Sequence, residues 1–432
     1  MKRSSIILGG GMTGLAAGMA SGLPVYECAQ EPGGICSSYY IRPGQTERLA
    51  TAPADGEAYR FEIGGGHWIF GGDSIVLRLI ERLVPLKRHS RISSVYFRQD
   101  DLYVPYPLQN NLRFMPQEFA ATALTELAQE PGPFQSMKDW QLEYFGPSLC
   151  EKFFFPFHEL YTGKLFDRIA PQDPYKSPID LETAIRGAFK SAPAVGYNTT
   201  YAYPIEGLNT LSQRMAERCD VRFGKRVIQI DAKDRVVYFE DGTNQPYELL
   251  LSTLPLTKMM GMTGTSVDAP EDPYSSVLVL NIGANKGPQC PRDHWLYNPD
   301  ARSGFHRVGL YSNVDRAFIP DAARASEECV SLYIERAYPG GEKPDDRAVA
   351  DYSDSVVAEL QSWGFIGDVE VVDPTWIDVA YTWSWPGSNW KSEALHTLEE
   401  NGILMAGRYS RWIFQGIADS IRDGLFAGAS LR

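Results

Sequence analysis

No basic excess is available to this chain: 41 Lys and Arg stand against 54 Asp and Glu, a formal net charge of −13 over 432 residues. No local basic run offsets this, and such a surface repels a phosphate backbone, so nucleic acid is excluded as an expected partner. Nor does any stretch approach the ~18 apolar residues of a membrane span. The first apolar run, Ile6-Ile7-Leu8, is too short for the core of a signal segment. The six cysteines (Cys28, Cys36, Cys150, Cys219, Cys290 and Cys329) form no CxxC pair and no zinc-ligand spacing. Reduced thiols, no metal, and a soluble, cytoplasmic protein are therefore expected. Internal repeats and low-complexity tracts are also missing. What is abundant is length, enough for two or three domains around one large core, and aromatic residues at 12%. Rings at that density either line a deep small-molecule pocket or fill an ordinary core.

The first chemical pattern begins at residue 6. Ile6-Ile7-Leu8 has the character of a buried parallel strand, and Gly9-Gly10-Gly11-Met12-Thr13-Gly14 follows it directly, a GxGxxG in the right place. Residues 15–20 have helix composition with small side chains. Leu23-Pro24-Val25-Tyr26-Glu27 then supplies a second strand ending in an acid. Each part has a chemical reason: Gly9 for the tight turn, Gly11 for backbone approach to a pyrophosphate, Gly14 for helix packing. The amides at the helix start, at Met12 and Thr13, bind the anion, and Glu27 accepts hydrogen bonds from ribose hydroxyls. Strand, helix, strand and acid together indicate a Rossmann dinucleotide site.

The next segment, Glu31-Pro32-Gly33-Gly34-Ile35-Cys36, resembles the flavoprotein stretch in which paired glycines pass close to the flavin's phosphate and ribityl arm. A plain Pro-Gly turn is the structural alternative. With Gly33 and Gly34 in that role, the expected cofactor is non-covalently bound FAD rather than NAD. Residues 226–231 and 236–242 alternate like a hairpin, and 249–255 return as a buried strand. In flavoproteins with two dinucleotide domains, this arrangement lays a backbone amide, here that of Val227, against the adenine. Residues 402–408 run as a strand into Gly407 and Arg408, and Gly416-Ile417-Ala418 open a last helix whose N-terminus should face the flavin.

These positions divide the chain. The expected fold class is α/β, α+β overall, with a Rossmann-type FAD-binding domain discontinuous over 1–80, 200–260 and 400–432. Residues 113–190 lack strand alternation and read as an inserted helical domain. Residues 81–112 plus 261–399 read as a mixed β-sheet substrate domain, with strands near 276–282 and 329–334 and a helix near 353–363.

Five further segments carry a resemblance: 64–70 (Gly-Gly-Gly-His-Trp-Ile-Phe), 103–112 (Tyr-Val-Pro-Tyr-Pro-Leu-Gln-Asn-Asn-Leu), 151–166, 294–299 and 305–313. In these, and in pieces over nearly its full length, the chain resembles the UDP-galactopyranose mutases, especially the eukaryotic branch, within the wider group of amine oxidases and protoporphyrinogen oxidase. The resemblance implies that His67 lies against the flavin ring, in a loop whose Gly66 shifts with redox state, and that Phe70 borders the substrate. It implies that Tyr106 and Gln109 contact the uridine end of the substrate and that Tyr297 and Arg307 reach its diphosphate. His67 and Arg307 are then the catalytic residues. On residue grounds alone, Arg307 can be a solvated charge and Tyr106 and Gln109 can edge a sheet, whereas His67 behind three glycines is unlike a satisfied core histidine.

The chain also departs from the pattern. Ala202, within Tyr201-Ala202-Tyr203-Pro204, and Ile413, within Trp412-Ile413-Phe414, stand where the mutases carry arginines, and Trp385 precedes Pro386 where they carry a tyrosine. Trp385 thus becomes a candidate substrate contact. Two functions follow. One is a redox-neutral, mutase-like isomerase acting through the flavin N5 on a nucleotide sugar or related sugar, with NAD(P)H as a candidate external reductant. The other is an oxidase or dehydrogenase of the amine oxidase or protoporphyrinogen oxidase type, to which fewer arginines and more tryptophan are suited. The partner is a small molecule, and an oligomer is compatible with either.

Overall fold

The computed structural model describes residues 4–172, 180–191 and 195–431. Two seven-stranded sheets organise it. In the first, the strands run in the order Val221–Arg222, Val25–Tyr26, Ser4–Leu8, Asn244–Ser252, Val236–Phe239 and Val227–Asp231, and Ile403–Met405 also pairs with Asn244–Ser252. Ser4–Leu8 lies parallel between two neighbours, with Ile7 opposite both Val25 and Leu251. Ile6, Ile7 and Leu8 are fully buried, which is why this strand reads as an apolar run rather than an alternation. Asn244–Ser252 changes character along its length. Its polar first half pairs antiparallel with Val236–Phe239, and its apolar second half pairs parallel with Ser4–Leu8 and Ile403–Met405. One strand thus joins a hairpin to the beginning and the end of the chain.

Helix Met12–Ser21 packs on the last helix, Ile417–Ala429. Their backbones approach so closely that a Cβ on Gly424 would stand 2.1 Å from the carbonyl oxygen of Thr13. The second sheet orders Ile366–Thr382, Tyr274–Lys286, Cys329–Pro339, Arg307–Leu310, Trp295–Tyr297, Ser93–Phe97 and Leu102–Pro105. It is mixed, because Ser93–Phe97 runs parallel to Trp295–Tyr297 while its other pairings are antiparallel. A helix at Asp346–Ser362 lies against it, starting earlier than the sequence suggests because Asp345 accepts a hydrogen bond from the Ala348 amide at 2.7 Å.

Between residues 117 and 189 the described chain is helical: Gln117–Leu127, Met137–Leu149, Phe155–Tyr161 and Leu181–Phe189, with a π-helical turn at Cys150–Phe154. Ser136 and Asp139 form a reciprocal capping box at the start of the second of these. Helices Ser74–Leu83, Leu256–Thr263 and Trp390–Glu400 have no counterpart in the sequence reading. No helix among the described residues is long and apolar enough to cross a membrane.

Candidate cofactor and substrate site

One cavity of about 490 Å³ runs from the glycine turn after the first strand to the second sheet and the helical segment, within the usual range for small-molecule sites. At one end it is walled by Gly9, Gly11, Met12, Thr13, Glu27, Gly33 and Gly34. The two glycine turns are held together by a bridge between Gly11 and Gly33. A Cβ on Gly11 would meet nothing within 4 Å, whereas one on Gly14 would lie 1.8 Å from the Gly9 carbonyl oxygen. Gly11 therefore faces open cavity, and Gly14, which is not part of the wall, lets the helix close onto the turn. Glu27 is buried. It accepts from the Gly10 amide at 2.6 Å and the Ala29 amide at 2.8 Å, which fixes its carboxylate at the cavity edge.

From the chain's end, Gly407, Arg408, Gly416 and Ile417 also line the cavity, at the start of the last helix. Ala418 is buried behind them, and Val227 is packed on the core of the first sheet; neither is part of the wall.

The loop that follows strand Tyr59–Glu62 brings Gly64, Gly66, His67, Trp68 and Phe70 to the wall. The glycines are spatial necessities: a Cβ on Gly64 would stand 2.4 Å from the His67 ring, and one on Gly66 2.0 Å from the Tyr333 hydroxyl. The His67 imidazole is thereby folded back on its own loop. Burial, aided by the charge of Arg408, pulls its pKa down to about 4, so it is neutral at physiological pH. Of the candidate substrate residues, Tyr106, Tyr297 and Arg307 reach the cavity, and the rings of Tyr106 and Tyr297 lie 4.6 Å apart. Gln109 is buried away from the wall. Trp385 also lies off the wall, its indole donating to the Glu271 carbonyl at 2.9 Å. The strand Ile366–Thr382 presents Tyr381 to the cavity instead.

Several wall residues escaped the sequence reading. Phe153, Phe154, Phe157, His158 and Tyr161 project from the π-helical turn and the helix after it. The spacing of Phe153, Phe157 and Tyr161, an i, i+4, i+8 stripe, was the available sign of one shared face. Tyr161 meets the ring of Tyr381 at 4.7 Å, and burial pushes both hydroxyl pKa values up. Glu335 is the other omission. It is 3% exposed, and its carboxylate lies 3.2 Å from a guanidinium nitrogen of Arg307. Burial opposes its ionisation, but Arg307 and His306 overcome this and hold it at about 2.

Do these residues fit a flavin dinucleotide? An open face at Gly11, helix amides beside it and an acid at the edge suit the nucleotide half. Further along, His67 Nδ1, Trp68 Nε1, Gln415 Oε1 and Arg307 Nε belong to wall residues and have no hydrogen-bond partner within the protein. Buried polar atoms of this kind call for a polar ligand. The fit is good at both ends.

Comparison with known proteins agrees with this. Residues 25–427 match the family described as "Flavin containing amine oxidoreductase". Among solved structures, a reduced UDP-galactopyranose mutase superposes with a TM-score of 0.82 at 22% identity, covering 99% of this chain and 95% of its own. A protein from Exiguobacterium sp. 255-15 assigned as a protoporphyrinogen oxidase gives 0.71 at 14%, covering 100% and 98%. Putrescine oxidase bound to putrescine gives 0.57 at 14%, covering 100% and 99%. At these identities the likenesses establish the fold.

Proposed function

We propose that this chain, which belongs to the family of flavin containing amine oxidoreductases and takes FAD as its cofactor, is a mutase-like isomerase of an anionic glycoside of the nucleotide-sugar class. The observation that carries this reading is the charge balance of the cavity wall. Its acids are Glu27 and Glu335, and its arginines are Arg307 and Arg408. Glu27 is engaged by backbone amides and Glu335 by Arg307. Arg408 donates to the carbonyls of Gln415 and Ala380 and, among the described residues, forms no ion pair with a carboxylate. An uncompensated guanidinium in a desolvated cavity favours an anion and disfavours a protonated amine.

In this reading Gly9, Gly11, Met12, Thr13, Glu27, Gly33 and Gly34 hold the dinucleotide, with Gly66, Gly407, Arg408, Gly416 and Ile417 towards the ring system. When bound, FAD supplies N5, a nucleophile towards a sugar carbon in the reduced form and a hydride acceptor in the oxidised form. Neutral His67 offers an unprotonated or protonated ring nitrogen, according to its tautomer, without adding charge beside the ring. Arg307 and Arg408 hold the negative charge of the leaving group. Tyr161 and Tyr381, whose hydroxyls stay protonated, donate hydrogen bonds to it or to the sugar, while Phe153, Phe154 and Phe157 exclude water. Ala202 itself is not part of the wall; it pairs with Ile69, between the wall residues Trp68 and Phe70. The three-unit division of the chain and a cytoplasmic setting with NAD(P)H as reductant belong to the same reading.

The aromatic wall favours the oxidase as the second reading. The two separate on one experiment: product formation from UDP-sugars under anaerobic dithionite, beside oxygen uptake with apolar amines. Anaerobic turnover together with calorimetric binding of UDP is the expected result. Oxygen uptake with an amine and no nucleotide binding replaces the isomerase with the oxidase.

A further inference from the structure

Glu335 connects parts of the cavity that the proposed function treats separately. Its Oε1 lies 3.3 Å from Nη1 of Arg307 and its Oε2 3.2 Å from the same nitrogen. Nε2 of His306 stands 3.4 Å from Oε2, and the Tyr381 hydroxyl donates to it at 3.5 Å. On its other side, a Cβ on Gly65 would be only 3.0 Å from Oε1, so the carboxylate packs directly against the loop that carries His67. Arg307 is thus tethered before any ligand arrives, and its charge is matched within the wall.

We propose that Glu335 is a positioning and specificity-determining residue, which fixes the Arg307 guanidinium in the cavity and, by cancelling its charge, limits how much negative charge a ligand can bring. The proposal rests on the anionic-substrate reading. A ligand anion that reaches Arg307 must share the guanidinium with Glu335, and the repulsion between the two grows with each charge the ligand carries. A neutral ligand feels none of this.

The test uses FAD-loaded protein and calorimetry with uridine, UMP and UDP. Replacing Glu335 by Gln removes a buried negative charge at nearly constant shape, and a unit charge acting over about 10 Å of protein interior changes an equilibrium by about tenfold. Glu335→Gln should tighten UDP by about tenfold, UMP by less, and uridine not at all. A merely structural role would move all three together, and parallel changes or none overturn the proposal. A second measurement needs no nucleotide. Glu335→Gln should raise the flavin midpoint potential by about 30 mV, which is tenfold for a two-electron couple. Arg307→Gln should lower it, and the double variant should return it to the wild-type value. If wild-type protein binds none of the three uridine compounds, the nucleotide-sugar reading fails while the potentials still decide the role of Glu335; unchanged potentials overturn it. If Glu335→Gln alone cannot retain FAD, Arg307→Gln and the double variant carry the same comparison.

Discussion

At the scale of residues, two glycines three positions apart, Gly11 and Gly14, have different jobs, and the difference can be measured. Gly11→Ala adds a methyl group to open cavity, so the protein should fold normally and lose FAD. Gly14→Val drives a branched side chain into the Gly9 carbonyl, 1.8 Å from the Cβ position, so it should lower the melting temperature as well. Flavin absorbance per protein and thermal unfolding of the two apoproteins separate these outcomes; equal melting temperatures would remove the packing role of Gly14. A second residue-scale prediction concerns pH. Glu62 is fully buried, and burial raises its pKa to about 7 even though Tyr203, Ser38 and Arg60 oppose the shift. Its folded form binds a proton more tightly than the unfolded form, so its stabilising contribution is complete below pH ~4.3 and is lost as pH rises through 7. His67 and His294, both pulled down to about 4 by burial first, act in the other direction. The unfolded chain takes up their protons first as pH falls from ~6.5, and stability falls with it. These three groups balance near pH ~7. Glu62→Gln should remove the decline between pH 6 and 8, a difference of about 1.4 kcal/mol, readable by urea unfolding at the two pH values.

At the scale of elements, the site depends on how closely the first and last helices approach. Gly424→Ala places a methyl group 2.1 Å from the Thr13 carbonyl oxygen, and both chains there are backbone, which cannot turn aside. Overpacking of this kind costs about 1–3 kcal/mol, and it should also weaken FAD because Thr13 and Gly416 move apart. A variant with unchanged FAD affinity and melting temperature would dissociate this packing from the site. The elements also explain what could be read from the chain. Strand, GxGxxG turn, helix and Glu27 were legible because each is local and each has its own composition. The hairpin at 226–242 was legible by alternation. Glu335 was not, since a single acid in Cys329–Pro339 looks like any edge charge until Arg307 is brought beside it by strand pairing. Tyr381 was missed in favour of Trp385 because the strand continues to Thr382, and which side chain faces inward depends on its irregular register against Tyr274–Lys286. The aromatic stripe at 153, 157 and 161 carried a helical period that could also have meant ordinary core.

At the scale of the whole molecule, cofactor and fold are linked. The cavity takes its walls from both sheets and from the helical segment, so FAD binding should stabilise the entire chain in one transition, by about 2.7 kcal/mol at a hundredfold excess over its dissociation constant, and raise its melting temperature accordingly. Calorimetry with two separate transitions, only one of them sensitive to FAD, would contradict that linkage. The same dependence on distant segments made the nucleotide end readable from sequence, since glycine turns at residues 9–14 and near 407–416 answer one ligand. The substrate end draws on side chains whose meeting no local pattern announces. The strand Asn244–Ser252, flanked by Ser4–Leu8 on one side and Ile403–Met405 on the other, has a consequence for how the protein is made. A ribosome adding ~5–20 residues per second exposes the glycine turn within seconds, yet the strand and helix that close the site emerge only when Ile403–Met405 and Ile417–Ala429 have been made. Until those residues emerge the nascent chain carries an open sheet edge and an unfinished cavity, so loading with flavin should wait for them rather than for the glycine turn.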